Sequence, residues 1–328
     1  MSFISNYPAG TQYAAILDTN VYRDLCPGET PQKIKETISD IRVAETSKGI
    51  VGVGLVIAAI ELISGLVEGE GTKSYRECLS GIIAMGHHVH HHETSEPIII
   101  PHPYLHVARS FFEVTPQDIL DKVKNIGGVI TDFRKDSSTA LAWHTQKNTF
   151  QNVKSWLLAG EREFVDLTEN LIKGSEVEVR KVYPIAADKD FRKKMAEYLA
   201  GDTFKDIVAQ QIIIATGITL NIALPVDEVR SRAQALIKMW PLAVGFTTWI
   251  CHIIYTRNIN MHSKQSIGTR WNWIWDYQAA FMISNDTVNG RVPFIVTGDT
   301  DMGDALREHG FGNRVMTLEE YKKRLGLP

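Results

Sequence analysis

Four acidic residues lie where a chain often delivers catalytic groups, at the ends of apolar runs or inside them. Asp18 follows YAAIL and Asp299 comes shortly after VPFIV, while Glu61 interrupts VIAAIELISGL and Asp276 follows a tryptophan-rich stretch. Carboxylates gathered at one point repel one another and are stable mainly with a cation present. The sequence therefore predicts that Asp18, Glu61, Asp276 and Asp299 converge on a Mg²⁺ or Mn²⁺ ion.

Such a site has a definite chemical use. Hydrolysis of a phosphodiester needs an activated water and a stabilised leaving oxygen, and a divalent cation held by carboxylates supplies both. Each residue also has a plainer interpretation. Asp18, Asp299 and Asp301 could cap helices, Asp276 could be a solvated helix residue, and Glu61 could be paired inside the core.

The elements that must position these residues lie at the two ends of the chain. YAAIL is typical of a buried strand, and a helical stretch (31–45), an apolar strand (49–56) and a helix (57–67) follow it. This βαβα order predicts a parallel sheet covered by helices. Asp18 and Asp299 would then lie at the carboxyl edge of the sheet, where open α/β folds bind ligands.

The C-terminal end has the same style. The pattern predicts a helix over 271–284, a strand at VPFIV, a short helix over 301–309 and a last strand over 314–316. Thr317 and Glu320 then have the spacing of a helix capping box. Both ends of the chain therefore belong to one α/β unit.

The middle of the chain has a long helical pattern. It runs from about 115 to 256, with predicted breaks at Gly127 and Gly128, Gly174, Gly201 and Pro225. We interpret 1–90 and 262–328 as one discontinuous α/β domain and 91–261 as a mainly helical insertion. A tandem of two domains is the alternative.

Five segments resemble the PIN-domain family in their order and in their strand or helix settings: AAILDTNVYRDL, VIAAIELISGL, WDYQAAFMI, FIVTGDTDM and RVMTLEEYKKRL. The resemblance implies a PIN-like parallel-sheet sandwich with helices on both faces, interrupted here by the all-helical insertion. It also implies that Asp18, Glu61, Asp276 and Asp299 bind metal. Asp301 is a further candidate for the metal site, with Asn20 and Thr297 as supporting residues.

The function that this resemblance implies is metal-dependent endonucleolytic cleavage of single-stranded RNA, leaving a 5′-phosphate. A toxin-like or defence role with an inhibitory partner protein is a further implication. One departure from the family is large, because Glu61 and Asp276 lie 276 − 61 = 215 residues apart where the family has a short connection. Another aspartate of the insertion could therefore take the place of Asp276. The insertion could also serve as a lid, a partner surface or a homo-oligomer contact.

Candidate substrate contacts lie just before Asp276. Trp271 could stack on an RNA base, and Lys264 and Arg270 could contact phosphates. Core packing is the commoner use of tryptophan, and isolated cations are usually only solvated. The tract GHHVHHHE (86–93) could bind Zn²⁺, Ni²⁺ or Mn²⁺, or could be a polar loop or an exposed edge strand.

Composition limits the remaining classes of protein. The net charge of −3 means that any nucleic-acid footprint must be local. Three widely spaced cysteines without a CxxC pair argue against a disulfide framework or a thiolate zinc site and favour the cytoplasm. We interpret the apolar runs 49–67 and 240–256 as buried elements and expect no signal peptide and no membrane span.

Two other functions remain open. GDTDMGD (298–304) resembles the metal motif of haloacid-dehalogenase-like phosphohydrolases, with Asp18 as the nucleophile. Asn20, however, stands where that pattern has a second aspartate as general acid/base. A non-catalytic interaction protein, with the helical insertion as its binding surface, is the alternative from another class.

Overall fold

The structure is a computed structural model that describes residues 10, 12–91, 96–184, 187–283, 288 and 290–328. In this part of the chain five strands form one sheet, and the rest is mainly helical. The strands are β1 (Tyr13–Leu17), β2 (Ile50–Leu55), β3 (Ile99–Ile100), β4 (Val292–Val296) and β5 (Val315–Met316). They lie in the order β3-β2-β1-β4-β5, and every pair of neighbours is parallel.

The helices in chain order are α1 (Thr19–Leu25), α2 (Pro31–Ser47), α3 (Val56–Gly65), α4 (Lys73–Val89), α5 (Pro103–Phe112), α6 (Gln117–Lys135), α7 (Ser137–Gln146), α8 (Thr149–Val182), α9 (Asp188–Leu199), α10 (Asp202–Thr219), α11 (Val226–Met239), α12 (Pro241–Thr256), α13 (Lys264–Thr269), α14 (Trp273–Ile283), α15 (Thr300–Glu308) and α16 (Leu318–Leu325). Short 3-10 turns lie at Leu66–Glu68 and Gly312–Arg314.

The sheet explains the apolar runs of the sequence. β1 lies between β2 and β4, so that Tyr13 is opposite both Ile50 and Val292. All of β2, and all but the first residue of β1 and β4, are buried, as parallel strands covered by other elements are. The predicted α/β class with a parallel sheet is confirmed, while the PIN-like details stay a prediction.

The chain divides into two compact units. The first comprises Met1–Leu105, Pro116–Leu157 and Asn285–Pro328, and the second comprises His106–Thr115 and Leu158–Ser284. Discontinuity of the α/β part was expected, but its boundaries differ from 1–90 and 262–328. Helices α6 and α7 belong with the sheet, and α14 belongs with the helical unit.

Apolar faces explain both differences. In the first unit α6 packs on α3 and α4, burying Val123, Ile126 and Ile130. Gly86 of α4 permits this approach, because a Cβ there would lie 3.0 Å from the carbonyl oxygen of Ile130. In the second unit α14 is apolar almost all round and packs on α12. Its sequence has no polar stripe of the kind that a helix exposes to water.

Two of the four predicted helix breaks are right. Gly201 and Pro225 are the residues that precede α10 and α11. Gly127 and Gly128 instead lie inside α6, and Gly174 lies inside α8. One glycine costs a helix only about 1 kcal/mol relative to alanine, and the buried faces of these helices offset that cost.

The two apolar runs are packed elements. Residues 49–67 form β2 followed by α3, and α12 is mostly buried. Among the described residues no single helix is long and apolar enough to cross a membrane, although α11 and α12, bent by 97°, meet that test as a pair. Cys26, Cys78 and Cys251 are buried free thiols.

Candidate functional site at the carboxyl edge of the sheet

Asp18 and Asp299 follow the same edge of the sheet. Leu17 and Val296, the last residues of β1 and β4, are opposite each other. The backbone N–H of Asp18 donates a 3.0 Å hydrogen bond to the carbonyl oxygen of Val296, which extends the strand pairing by one residue. Because β1 and β4 are parallel, each strand is followed by an aspartate in the same region of the first unit.

Thr297 connects the two aspartates. Its hydroxyl donates to Oδ2 of Asp18 at 2.9 Å and accepts the backbone N–H of Asp299 at 3.0 Å. The side chain is only 3% exposed, and its own N–H donates to the carbonyl oxygen of Met316 in β5 at 3.0 Å. A buried hydroxyl with both hydrogen-bonding roles used holds a fixed position.

Both aspartates also cap helices. Oδ1 of Asp18 accepts the N–H of Thr19 at 2.7 Å at the start of α1, and Oδ1 of Asp299 accepts the N–H of Met302 at 2.8 Å at the start of α15. The helix-capping role that the sequence also allowed for Asp18 and Asp299 is therefore observed. It does not conflict with cation binding, since an ionised carboxylate has about four acceptor positions.

Glu61 joins the same group through Thr19. The buried Thr19 hydroxyl donates a short hydrogen bond to Oε2 of the half-buried Glu61 on α3. The row of polar groups thus runs from Glu61 through Thr19 to Asp18, and from there through Thr297 to Asp299. Sequence reasoning missed Thr19, although its position directly after Asp18 was the signal that could have identified it.

The surroundings of Asp18 oppose its ionisation. Burial raises the pKa of this carboxyl above its usual value, and the negative charge of Asp299 raises it further. Hydrogen bonds from Thr297 and from the Thr19 N–H, and the charge of Arg23, act in the opposite direction without cancelling the rise. A cation beside the two carboxylates would relieve this repulsion.

The other candidates for metal binding are Asn20, Asp301 and Asp276. Asn20 on α1 and Asp301 in the first turn of α15 are exposed. Asp276 is half-buried in the first turn of α14 and belongs to the second unit, so the geometry above concerns only residues of the first. Within the described ranges no group of three or more His, Cys, Asp or Glu side chains is placed to hold a metal ion.

The candidate substrate contacts belong to the second unit. Trp271 is 9% exposed, and its indole N–H donates to the carbonyl oxygen of Met261 at 2.8 Å. That arrangement is core packing, the alternative to RNA stacking. The half-buried Arg270 donates to the hydroxyl of Ser266 at 3.0 Å, and Lys264 is exposed at the start of α13.

In the described part of the histidine tract the expected edge strand is absent, and the chain is helical before it continues into an irregular segment. Residues 87–89 form the end of α4, and His92 and Glu93 lie outside the described residues. Nδ1 of His90 donates a hydrogen bond to the carbonyl oxygen of Gly86 at 2.7 Å, and Nε2 of His91 donates one to that of Gly52 at 2.9 Å. Burial lowers the pKa of His87, His90 and His91 to about 4, so that these rings are neutral at pH 7.

His88 belongs to a buried network of the first unit. Its Nδ1 lies 2.8 Å from the Tyr22 hydroxyl and its Nε2 lies 2.8 Å from Oε1 of Glu45, which also accepts a short hydrogen bond from the Tyr321 hydroxyl. All four side chains are at most 1% exposed. The pattern is satisfied when Tyr22 donates to Nδ1 and His88 donates its Nε2 proton to Glu45. A network of this kind fixes α1, α2, α4 and α16 against one another.

Comparison with known proteins adds no family assignment. No protein-family model, curated protein or solved structure matches the chain. The resemblance to PIN domains therefore rests on the five sequence motifs. The candidate site rests on the hydrogen bonds that connect Glu61, Asp18 and Asp299.

Proposed function

We propose that this protein is a metal-dependent endoribonuclease that hydrolyses phosphodiester bonds of single-stranded RNA. The observation that carries the proposal is the connection of Asp18 to Asp299 through the Thr297 hydroxyl at the carboxyl edge of the sheet. Glu61 is connected to the same row of hydrogen bonds through Thr19. The PIN-domain motifs support the same function, because they assign metal binding to these same carboxylates.

The donor set suits Mg²⁺ or Mn²⁺. It consists of oxygen atoms only, which hard divalent cations prefer, and the raised pKa of Asp18 reflects burial together with the charge of Asp299, which a cation would balance. Mg²⁺ commonly binds through one or two carboxylates and completes its coordination with waters and substrate phosphates. Asp18 and Asp299 would hold the ion, and Asp276 stays the fourth ligand that the resemblance predicts.

The residues of the site would have different roles in the reaction. When bound, the cation supplies positive charge that makes a water more acidic and stabilises the leaving oxygen. Thr297 orients Oδ2 of Asp18 and fixes the backbone of Asp299, so that neither carboxylate has to be ordered when substrate arrives. Thr19 holds Glu61 in the same way. A toxin-like or defence role, an inhibitory partner, self-association and action in the cytoplasm remain predictions from the sequence.

Asparagine substitutions separate this function from simple helix capping. Asparagine caps helices as well as aspartate does, so Asp18→Asn and Asp299→Asn keep the caps and remove the charges. We expect both variants to lose about a hundredfold or more of the Mn²⁺-dependent cleavage of a labelled single-stranded RNA, a loss typical of removing an electrostatic group from an active site. Asp304→Asn, an exposed aspartate of α15, is the matched control.

The products complete the test. The proposal predicts internal cuts with 5′-phosphate ends in the wild-type protein. Unchanged cleavage in both asparagine variants would contradict it. Turnover of a phosphomonoester together with a trapped phospho-Asp18 would assign the site to a phosphohydrolase instead.

A further inference from the structure

A cleft of the first unit lies apart from the residues discussed so far. It is formed by α6, α7 and the first turns of α8 and has a volume of about 590 Å³. Two tryptophans line it, Trp143 and Trp156, together with Lys122, Lys124 and Lys147. Trp143 is 52% exposed, which is unusual for so large an apolar side chain. Exposed aromatic surface beside a cleft is typical of a binding site.

An ammonium group lies over each indole ring. Nζ of Lys122 is 5.4 Å from the ring centroid of Trp156, and Nζ of Lys147 is 4.8 Å from that of Trp143. These pairs place positive charge against two flat aromatic faces of one cleft. A ligand that carries both anionic groups and flat rings would contact both kinds of side chain.

The local charge has the sign that nucleic acid requires. Of the acidic residues, only Asp132 lines the cleft, and Nε2 of His144 lies 3.1 Å from its Oδ2. The lining therefore carries more positive than negative charge, with Nζ of Lys124 also 3.7 Å from Oδ1 of Asp121, while the whole chain has a net charge of −3. A local basic surface of this kind is what an acidic protein needs in order to bind a polyanion.

Packed side chains form the frame of the cleft. His144 is buried between aromatic rings, with the ring of Phe133 stacked 6.2 Å away at an interplanar angle of 13°. Asn148 has a φ of 54° between α7 and α8, a left-handed conformation that asparagine tolerates better than most residues. This turn places Lys147 at the rim of the cleft. Binding would then require little reordering of the protein.

We propose that this cleft binds single-stranded RNA, with bases stacked on Trp143 and Trp156 and phosphates held by Lys122, Lys124 and Lys147. Aromatic platforms beside a basic groove are the means by which proteins bind single strands without reading their sequence. The choice of RNA rests on the proposed nuclease function, and the cleft is the surface that holds its substrate. Each ammonium would leave its indole face for a phosphate as a base takes its place.

Binding can be measured without cleavage. Fluorescence anisotropy of a labelled 12-nucleotide single-stranded RNA is followed with the full chain in EDTA, so that no metal supports hydrolysis. We expect Trp143→Ala to weaken binding about tenfold and Trp143→Tyr to restore most of it, because tyrosine keeps a stacking face. We expect Lys122→Gln with Lys147→Gln to lower the slope of log K against log salt by about 0.7 for each lost phosphate contact.

The controls separate this cleft from general charge and from the acidic site. Lys48→Gln with Lys323→Gln removes the same charge from other exposed positions of the first unit and leaves binding unchanged. No RNA binding by the wild type, equal binding by Trp143→Ala, or equal competition by duplex RNA overturns the inference, even if Asp18→Asn abolishes cleavage. Loss of binding in Trp143→Ala with full cleavage by Asp18→Asn supports the cleft and overturns the proposed chemistry.

Discussion

The hydroxyl of Thr297 donates a 2.9 Å hydrogen bond to Oδ2 of Asp18, a residue 279 positions away in the chain. This bond exists because β1 and β4 are parallel neighbours that end at the same edge of the sheet. The same hydroxyl accepts the N–H of Asp299, so one buried side chain positions both carboxylates. The account of the site depends on this arrangement.

Replacing Thr297 with valine tests that dependence. Valine has nearly the same shape, so Thr297→Val removes the hydroxyl and leaves Oδ2 of Asp18 and the Asp299 N–H without their buried partner. We expect a loss of about 1–3 kcal/mol in the free energy of unfolding. In the wild type the hydrogen bond from Thr297 lowers the pKa of Asp18, so its loss should raise that pKa. We therefore also expect the acid limb of the pH profile of cleavage to move to higher pH.

A purely structural role of Thr297 would leave the pH profile unmoved. The pH profile of cleavage is therefore the deciding measurement, and urea titration measures the free energy of unfolding alongside it. Thr300→Val, an exposed threonine in the first turn of α15, should change neither quantity.

Neutralising Asp18 should stabilise the protein in the absence of metal. The folded-state pKa of Asp18 is raised, so the protonated carboxyl contributes to the free energy of unfolding at low pH. This contribution is lost as the pH rises through the folded-state pKa. At pH 7 we expect Asp18→Asn to raise the free energy of unfolding by roughly 0.5–2 kcal/mol, the usual size of a single stabilising change. Thermal denaturation in EDTA measures this.

The same experiment with Mn²⁺ adds a second condition. Metal should raise the melting temperature of the wild type and not that of Asp18→Asn, because only the wild type keeps both carboxylates. A variant that is less stable than the wild type in EDTA would contradict this expectation.

The histidine tract should make stability depend on pH. The folded-state pKa values of His87, His90 and His91 are about 4, below the ordinary 6.5, so the unfolded chain binds more protons between these two values. Stability should therefore fall as pH falls from about 6.5 to 4, by about 1 kcal/mol for each ring after allowance for partial exposure. Urea unfolding at pH 7.5 and 5.0 measures the loss.

His91→Gln isolates one of these contributions. Glutamine can still donate to the carbonyl oxygen of Gly52 but takes up no proton. The difference in stability between pH 7.5 and 5.0 should shrink by about 1 kcal/mol in this variant. An unchanged difference would mean that His91 does not contribute to the pH dependence.

The buried network should be sensitive to the loss of one hydroxyl. Tyr321→Phe removes a donor to Oε1 of Glu45, a carboxylate that is 1% exposed. Oε2 of Glu45 already has no hydrogen-bond partner among the described residues, so the change leaves this buried carboxyl group with fewer donors. We expect a loss of about 1–3 kcal/mol in the free energy of unfolding.

A double-mutant cycle completes this test. Tyr22→Phe breaks the network at His88, and the two substitutions should not be additive if the four side chains act as one unit. Additive losses within about 0.5 kcal/mol would instead show independent hydrogen bonds.

The sequence was most informative where local physics decides the structure. β1 and β4 were predicted with their observed bounds, because an apolar run that stops at a polar residue is typical of a buried parallel strand. The predicted capping box of Thr317 and Glu320 is confirmed at the start of α16. Each of these features is contained in a few consecutive residues.

The sequence was least informative where distant packing decides. Nothing near Gly174 shows that α8 continues through it, and nothing near His88 shows that Glu45 lies beside it. The contact of Thr19 with Glu61 likewise joins residues 42 positions apart. The extent of the first unit escaped prediction for the same reason, since the apolar face of α6 does not reveal which surface covers it.

Calorimetric titration of Mn²⁺ into the wild type and into Asp18→Asn with Asp299→Asn tests the central claim most directly. The double variant keeps both helix caps, so a folded protein is expected and its far-UV circular dichroism should match that of the wild type. The account predicts saturable binding by the wild type and a loss of affinity of at least about a hundredfold in the double variant. Equal Mn²⁺ affinity in the two proteins would contradict it.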